Sequence, residues 1–173
     1  PLQYTDFTLW QQREWECGNY GPQEQYWLLQ LQGPLPLLEL PLDFPRPPEA
    51  SFDGHTVTIR LGSEQTVRLR DLAKAHHTTL FVSLLAAYTV LLHKYSGQED
   101  LIVGIPVANR MHGDLQSVAG MFVNMVPVRT NPQPDAAFSD YLESVKKKAL
   151  SAIEHQDYPF DRMVRLAQGE RDP

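Results

Sequence analysis

Val118-Ala119-Gly120-Met121-Phe122-Val123-Asn124-Met125-Val126-Pro127-Val128-Arg129 is the stretch around which the rest of the chain can be placed. A glycine followed by apolar residues, interrupted by one amide and closed by one guanidinium, reads as a buried strand that carries two polar heads to particular places. A buried amide without partners costs on the order of 1–3 kcal/mol, so Asn124 either closes a hydrogen-bond network or faces a wet cavity. Pro127 has no N–H, which puts a gap in any ladder and points to a bulge or a sheet edge.

Leu101 to Val107, a continuous apolar run after the turn Gly97-Gln98-Glu99-Asp100, has the composition of a central strand. The loop Asn109 to Gln116 lies between it and the first. Downstream, Asp135 caps a long helix in which Phe138, Tyr141, Leu142, Val145, Ala149 and Ile153 repeat at helical spacing while Lys146 and Lys147 face elsewhere. That helix delivers His155-Gln156-Asp157-Tyr158-Pro159, where a rigid proline turn closes it and the side chains of Gln156 and Asp157 can bond the backbone left open. Asp161 to Ala167 reads as a short further helix.

Upstream, Asp6 caps a first helix to Glu16 that carries Trp10 and Trp15, and Gly18 to Pro22 stops it. Gln23 to Gln32 forms a second, with Tyr26, Trp27, Leu29 and Leu31, ended by Gly33-Pro34. Six prolines then fall in the fifteen residues from Pro34 to Pro48. Proline-rich backbone is extended, and Leu35, Leu37, Leu38, Leu40, Leu42 and Phe44 are too apolar for a solvated tether, so this passage is expected to strap across a surface. His55 to Leu61 alternates Val57, Ile59 and Leu61 with polar residues, the period of a half-buried strand. Ser63 is the expected cap of a helix to Ala75, and Thr78 or Thr79 of the next, which runs from Leu80 to Ser96-Gly97 and is apolar nearly all round, as a helix inside a core would be.

With 173 residues and 42% hydrophobic content, the chain suits one globular domain with a sizeable core, or most of one. Fifteen basic residues against 21 acidic ones give a net charge of −6 with no long basic run, which argues against nucleic acid as a partner. Cys17 is the only cysteine, so neither a disulfide framework nor a cysteine zinc site can form within the chain, and a cytoplasmic protein is expected. No apolar stretch approaches the roughly 18 residues that span a bilayer. The opening Pro1-Leu2-Gln3-Tyr4 has no signal-peptide pattern and looks like an interior point of a longer protein. His76-His77 at a helix end reads as a surface pair, and the remaining histidines show no metal-ligand spacing.

Three stretches lie in order: Tyr4-Thr5-Asp6-Phe7-Thr8-Leu9-Trp10, Gly120 to Arg129, and His155-Gln156-Asp157-Tyr158-Pro159-Phe160-Asp161. They resemble three motifs of the condensation domains of nonribosomal peptide synthetases, YxDYAVW, GxFVNTxxxR and HQDYPFE. Two further passages, Tyr26-Trp27-Leu28 to Asp43-Phe44-Pro45-Arg46-Pro47 and Tyr95-Ser96-Gly97 to Ala108-Asn109-Arg110, are also similar to the family, so the match covers nearly the whole chain. Met125 for Thr, Phe7 for Tyr and Asp161 for Glu are mild departures.

The resemblance implies an α/β fold: one lobe, the carboxy-terminal one, of a chloramphenicol acetyltransferase-like architecture, with a mixed β-sheet packed with helices. Residues 1–173 would then be a partial condensation domain without its amino-terminal lobe and its extreme carboxy terminus. The family's hallmark HHxxxDG lies a few dozen residues before YxDY, and only three residues precede Tyr4 here. The catalytic histidine is therefore expected outside this chain, and no catalytic residue is assigned within it. By the same resemblance Phe122, Asn124 and Arg129 lie beside the substrate tunnel, with Asn124 orienting substrate amides or supporting structure and Arg129 holding the strand or the opposite lobe. Tyr4, Asp6, Trp10, Gly120, His155, Gln156, Asp157, Pro159 and Phe160 are expected to serve architecture. The implied function is amide-bond formation between carrier-bound aminoacyl or peptidyl thioesters, with this fragment supplying one tunnel wall and inactive alone. The implied partners are peptidyl carrier proteins bearing phosphopantetheine arms, the missing lobe and an adjacent adenylation domain, with no metal or soluble cofactor bound directly and with self-association of the fragment. Alternatives are an epimerisation domain or another acyltransferase of the superfamily, or a non-catalytic interaction module.

Overall fold

The computed structural model describes residues 1–47 and 54–167. The helices are α1 (Tyr4–Glu16), α2 (Gly21–Gln30), α3 (Ser63–Ala75), α4 (Leu80–Ser96), α5 (Phe138–Glu154) and α6 (Phe160–Leu166), and the strands β1 (Leu101–Val107) and β2 (Asn124–Thr130). The chain divides into two compact units, one built from Pro1–Leu35, Ile102–Arg129 and the residues from Leu150, the other from Pro36–Leu101 and Thr130–Ala149. Pro48 and the closing Arg171-Asp172-Pro173 lie outside the described residues.

In the first unit, Gln3 caps α1 and Asp6 sits in its first turn, where Oδ2 accepts from the Gln3 N–H at 2.8 Å. The cap thus lies three residues earlier than composition suggests, because the carboxylate works from inside the helix. The two strands form an antiparallel pair. In β2 the side chains of Val126, Val128 and Thr130 are buried while those of Met125, Pro127 and Arg129 are half-buried, the two-residue period of a pleated strand. The expected central strand, β1, buries only Leu101 and Ile105 and leaves Gly104 and Pro106 exposed. Among the described residues its sheet has two strands, so β1 is an edge, where Pro106 is tolerated. Phe7, Leu115, Val118 and Phe122 form an apolar core cluster with Tyr4 against it.

In the second unit, Thr79 caps α4 by accepting from the Val82 N–H at 3.2 Å, and Gly97 closes it in the left-handed region at φ 73°. The buried face of α4 holds Val82, Leu85, Ala86, Thr89 and Leu92, with the Thr89 and Tyr141 hydroxyls 2.7 Å apart. Its other face contradicts the core-helix expectation: Phe81, Leu84, Tyr88, Leu91 and Tyr95 form an exposed apolar stripe. All-round apolarity states how much surface a helix could bury, not how many neighbours it meets. Gly62, not Ser63, caps α3, because the Gln65 side chain reaches back to the Gly62 N–H at 3.1 Å. α5 begins at Phe138, three residues after Asp135, since Gln133 to Ala136 closes as a turn first.

The strand expected over His55 to Leu61 does not form, and Val57 and Ile59 stand 79% and 82% exposed. Alternation fixes which side chains share a face, but a strand needs a partner for its backbone. The proline-rich passage is extended, and Gln98 bonds its backbone at two points. Gln98 Nε2 donates to Leu37 O at 2.7 Å, and its Oε1 accepts from the Glu39 N–H at 2.8 Å.

Candidate functional site

A helix that ends at Glu154 leaves its last carbonyls without intrahelical partners, and the one that starts at Phe160 leaves its first N–H groups. Asn124 serves both. Its Nδ2 donates to Gln156 O at 2.8 Å and Tyr158 O at 2.7 Å, and its Oδ1 accepts from the Phe160 N–H at 3.1 Å. Pro159, at φ −63°, is the N-cap of α6 and has no N–H that would compete. Gln156, itself buried, donates to Ile153 O at 2.8 Å and accepts from the Asn109 N–H at 3.2 Å. Asn109 holds a left-handed φ of 50°, a conformation its short amide tolerates.

Helix α2 grips the same turn from its own side. Trp27 Nε1 donates to His155 O at 3.1 Å, Gln23 Nε2 donates to Asp157 Oδ2 at 3.2 Å, and the Tyr26 ring stacks on the His155 imidazole with centroids 3.9 Å apart. His155 Nδ1 lies 2.8 Å from Ser151 O; a carbonyl only accepts, so Nδ1 carries the proton. Burial pushes the Asp157 carboxyl above its ordinary value, against the pull of backbone and Gln23 hydrogen bonds and of His155 and His112. Burial likewise raises the phenols of Tyr26 and Tyr158.

The opening motif packs on the glycine of the strand motif. The Tyr4 hydroxyl donates to Met121 O at 2.8 Å, and its ring meets that of Phe122 edge-on at 5.1 Å. Phe122 is 3% exposed, and the Arg110 guanidinium sits 4.0 Å above its ring. Arg110 also donates to the carbonyls of Leu115 and Val118. This role for Arg110 was not read from sequence. The available signal was a loop whose carbonyls lacked ladder partners, directly after an arginine. Trp10 is part-exposed and meets the His112 ring at 5.4 Å.

Arg129 lies on the opposite face of β2 from Asn124, five residues on. Its Nη1 donates to Gln32 O at 2.8 Å and its Nη2 to Pro34 O at 3.1 Å, so it secures the chain just past the end of α2. The structure therefore joins the strand motif, the turn motif and α2 through backbone-directed side chains, with Arg129 acting apart from Asn124. Among the described residues no three His, Cys, Asp or Glu side chains converge as a metal site would require.

A family model described as Condensation domain matches residues 1–173. The chain belongs to the condensation-domain family. Tyrocidine synthase 3 of Brevibacillus parabrevis is 47% identical to this condensation-domain chain over 171 residues, which is 99% of the chain and 3% of that synthase. Bacitracin synthase 3 of Bacillus licheniformis is 44% identical over 99% of the chain and 3% of its own length. The chain thus spans a few per cent of the synthetases it matches. It overlays the condensation domain from monacolin K polyketide synthase MokA with a TM-score of 0.83 and 25% identity, covering 97% of this chain and 40% of that one. It overlays the X-domain in its complex with OxyB from teicoplanin biosynthesis with a TM-score of 0.90 and 26% identity, over 99% of this chain and 39% of that one. The condensation-domain chain therefore has the chloramphenicol acetyltransferase-like α/β fold that its motifs imply.

Proposed function

We propose that this chain is one lobe of a condensation domain that joins carrier-bound aminoacyl or peptidyl thioesters in a cytoplasmic nonribosomal peptide synthetase. In that reaction an acceptor amine attacks the donor thioester carbon, a C–N bond forms, the C–S bond breaks, and the amine proton ends on the released pantetheine thiol. The phosphopantetheine arms belong to peptidyl carrier partners, and an adenylation domain loads them. HHxxxDG does not occur in the 173 residues, so the group that holds or deprotonates the amine comes from the amino-terminal lobe. This chain contributes a wall whose shape depends on the Asn124-bonded turn and on Phe122. Arg129 secures that wall from behind by fixing the end of α2.

The observation that carries this reading is the family match over every residue together with 47% identity to a peptide synthase. The test exchanges the matching 171 residues of tyrocidine synthase 3 for this chain and follows dipeptidyl product on the carrier by mass spectrometry. Product from the chimera is expected. A folded chimera without product, beside an active parent, would overturn the reading.

The overlay on an X-domain in complex with OxyB favours a second reading, an interaction module without catalysis. A chimera that forms no product but retains a partner protein on a sizing column would select it. In either case the stripe on α4 leaves the isolated chain prone to associate with itself or with a supplied amino-terminal lobe.

A further inference from the structure

Gln23 and Asp157 meet through one hydrogen bond and leave one oxygen each without a donor. Gln23 Nε2 donates to Asp157 Oδ2 at 3.2 Å. The other atom of each head, Gln23 Oε1 and Asp157 Oδ1, is closed off from solvent, and among the described residues neither accepts a hydrogen bond. Two such oxygens on one bonded pair are costly, because each has given up water and received no donor in return. One hydrogen satisfies both. A protonated carboxyl and an amide are complementary, each with one donor and one oxygen to turn toward the other, so the pair closes as a ring of two hydrogen bonds. A carboxylate is acceptor-only and cannot close it. Turning the amide over exchanges its two atoms and still leaves two oxygens for want of one hydrogen.

We propose that Gln23 and Asp157 form a proton-dependent clasp between α2 and the His155–Pro159 turn. With a proton on Oδ1 the carboxyl donates to Gln23 Oε1 while Oδ2 accepts from Nε2. Loss of that proton to solvent breaks the first bond and sets two oxygens against each other. The ionisable groups whose charge reaches the carboxyl are His155 of the same turn and His112 of the Asn109–Leu115 loop, and the Tyr20 phenol ahead of α2 feels the carboxyl in turn. From α1, Phe7, Trp10 and Gln11 line the adjoining cavity, and none of them ionises. Burial raises the carboxyl above its ordinary value, the direction in which a closed ring also acts. Trp27 holds His155 O, and Asn124 holds Gln156 O and Tyr158 O, through groups that do not titrate, so opening the clasp loosens one corner of the turn and leaves the rest in place. The clasp needs no substrate and stands independently of the condensation reaction.

Gln23→Met keeps the side chain's length and removes its polar head, and ¹³C spectra of the Asp157 carboxyl across a pH series read the result. In the clasp Gln23 favours the protonated carboxyl, so the variant is expected to lower the Asp157 midpoint by about one pH unit. A carboxylate that merely accepts the Nε2 hydrogen is stabilised by it, so a midpoint that rises or stays unchanged in Gln23→Met overturns the proposal. Thermal melts give a second reading, because Asp157→Asn carries an N–H where the protonated acid carries its O–H. At about two pH units above the Asp157 midpoint, Gln23→Met is expected to lower Tm by about 4–8 °C in the Asp157→Asn chain and by less in the chain with Asp157. Equal losses overturn the clasp. Should Gln23→Met fail to fold, the unaltered chain decides: the Gln23 Cδ signal is expected to move with the Asp157 midpoint, and one that stays put through it overturns the proposal.

Discussion

The ring of Tyr4 fills the space that a side chain at position 120 would need: a Cβ on Gly120 would stand 2.4 Å from Tyr4 Cδ2. The Tyr4 hydroxyl fixes that ring by donating to Met121 O. Gly120→Ala therefore forces the tyrosine or the strand aside, at a cost of about 1–3 kcal/mol. In a double-mutant cycle Tyr4→Ala is expected to relieve much of that cost, giving a coupling on the order of 1 kcal/mol by urea unfolding. Additive effects would mean that the two residues do not share this space.

Asn124→Ala removes the donor to two turn carbonyls and the acceptor for the Phe160 N–H. A loss of about 2–4 kcal/mol is expected, a fall in Tm of about 4–16 °C for a chain of this size. Asn124→Asp keeps an acceptor for Phe160 but points charge at two carbonyls, so it is expected to be no better than alanine. Calorimetry that finds aspartate as stable as wild type would show that the two carbonyl bonds contribute nothing.

The Asp157 carboxyl is raised above its ordinary value of 3.8. The folded chain then holds this proton at pH values where the unfolded chain has lost it. Stability from this group is present below about that ordinary value and falls as pH rises through the raised one. Asp157→Asn is expected to flatten that fall and to be the more stable protein at pH 7, with the gap closing toward pH 3. Urea titrations in sodium buffers check this, and a gap that stays constant with pH would mean the carboxyl is not perturbed.

Thr130 is fully buried, and among the described residues its Oγ1 has no hydrogen-bond partner. Thr130→Val keeps the shape and removes the unsatisfied oxygen, so a gain of about 1 kcal/mol in unfolding free energy is expected. A loss instead would indicate a buried water on that hydroxyl.

Local chemistry made some of this fold readable in advance. Thr79 caps α4 because a hydroxyl beside an apolar run has little else to bond, and Gly97 closes it because a left-handed residue without a Cβ carries no steric penalty. The strand Asn124–Thr130 is the second part of the apolar run from Val118 that composition marked as a strand, and Val118 to Val123 stay outside the ladder. What escaped depends on partners distant in sequence. Nothing in Val57-Thr58-Ile59 states whether another backbone lies alongside, and nothing in Phe81 or Tyr88 states whether that face of α4 is covered. At the site, an amide in an apolar strand signalled a bonded side chain. Its partners Gln156, Tyr158 and Phe160 could not be named from spacing, because they lie more than 30 residues away and spacing does not state where the turn before α6 comes to rest.

The grip of Gln98 on Leu37 and Glu39 carries a consequence for how the strap tolerates change. The amide bonds only a carbonyl and an N–H, as a neighbouring strand would, and takes no account of which side chains the strap bears. Drift along Pro36 to Leu42 is free at this clasp apart from one substitution. Proline at position 39 would delete the N–H that Gln98 holds, so a passage crowded with prolines must withhold one there.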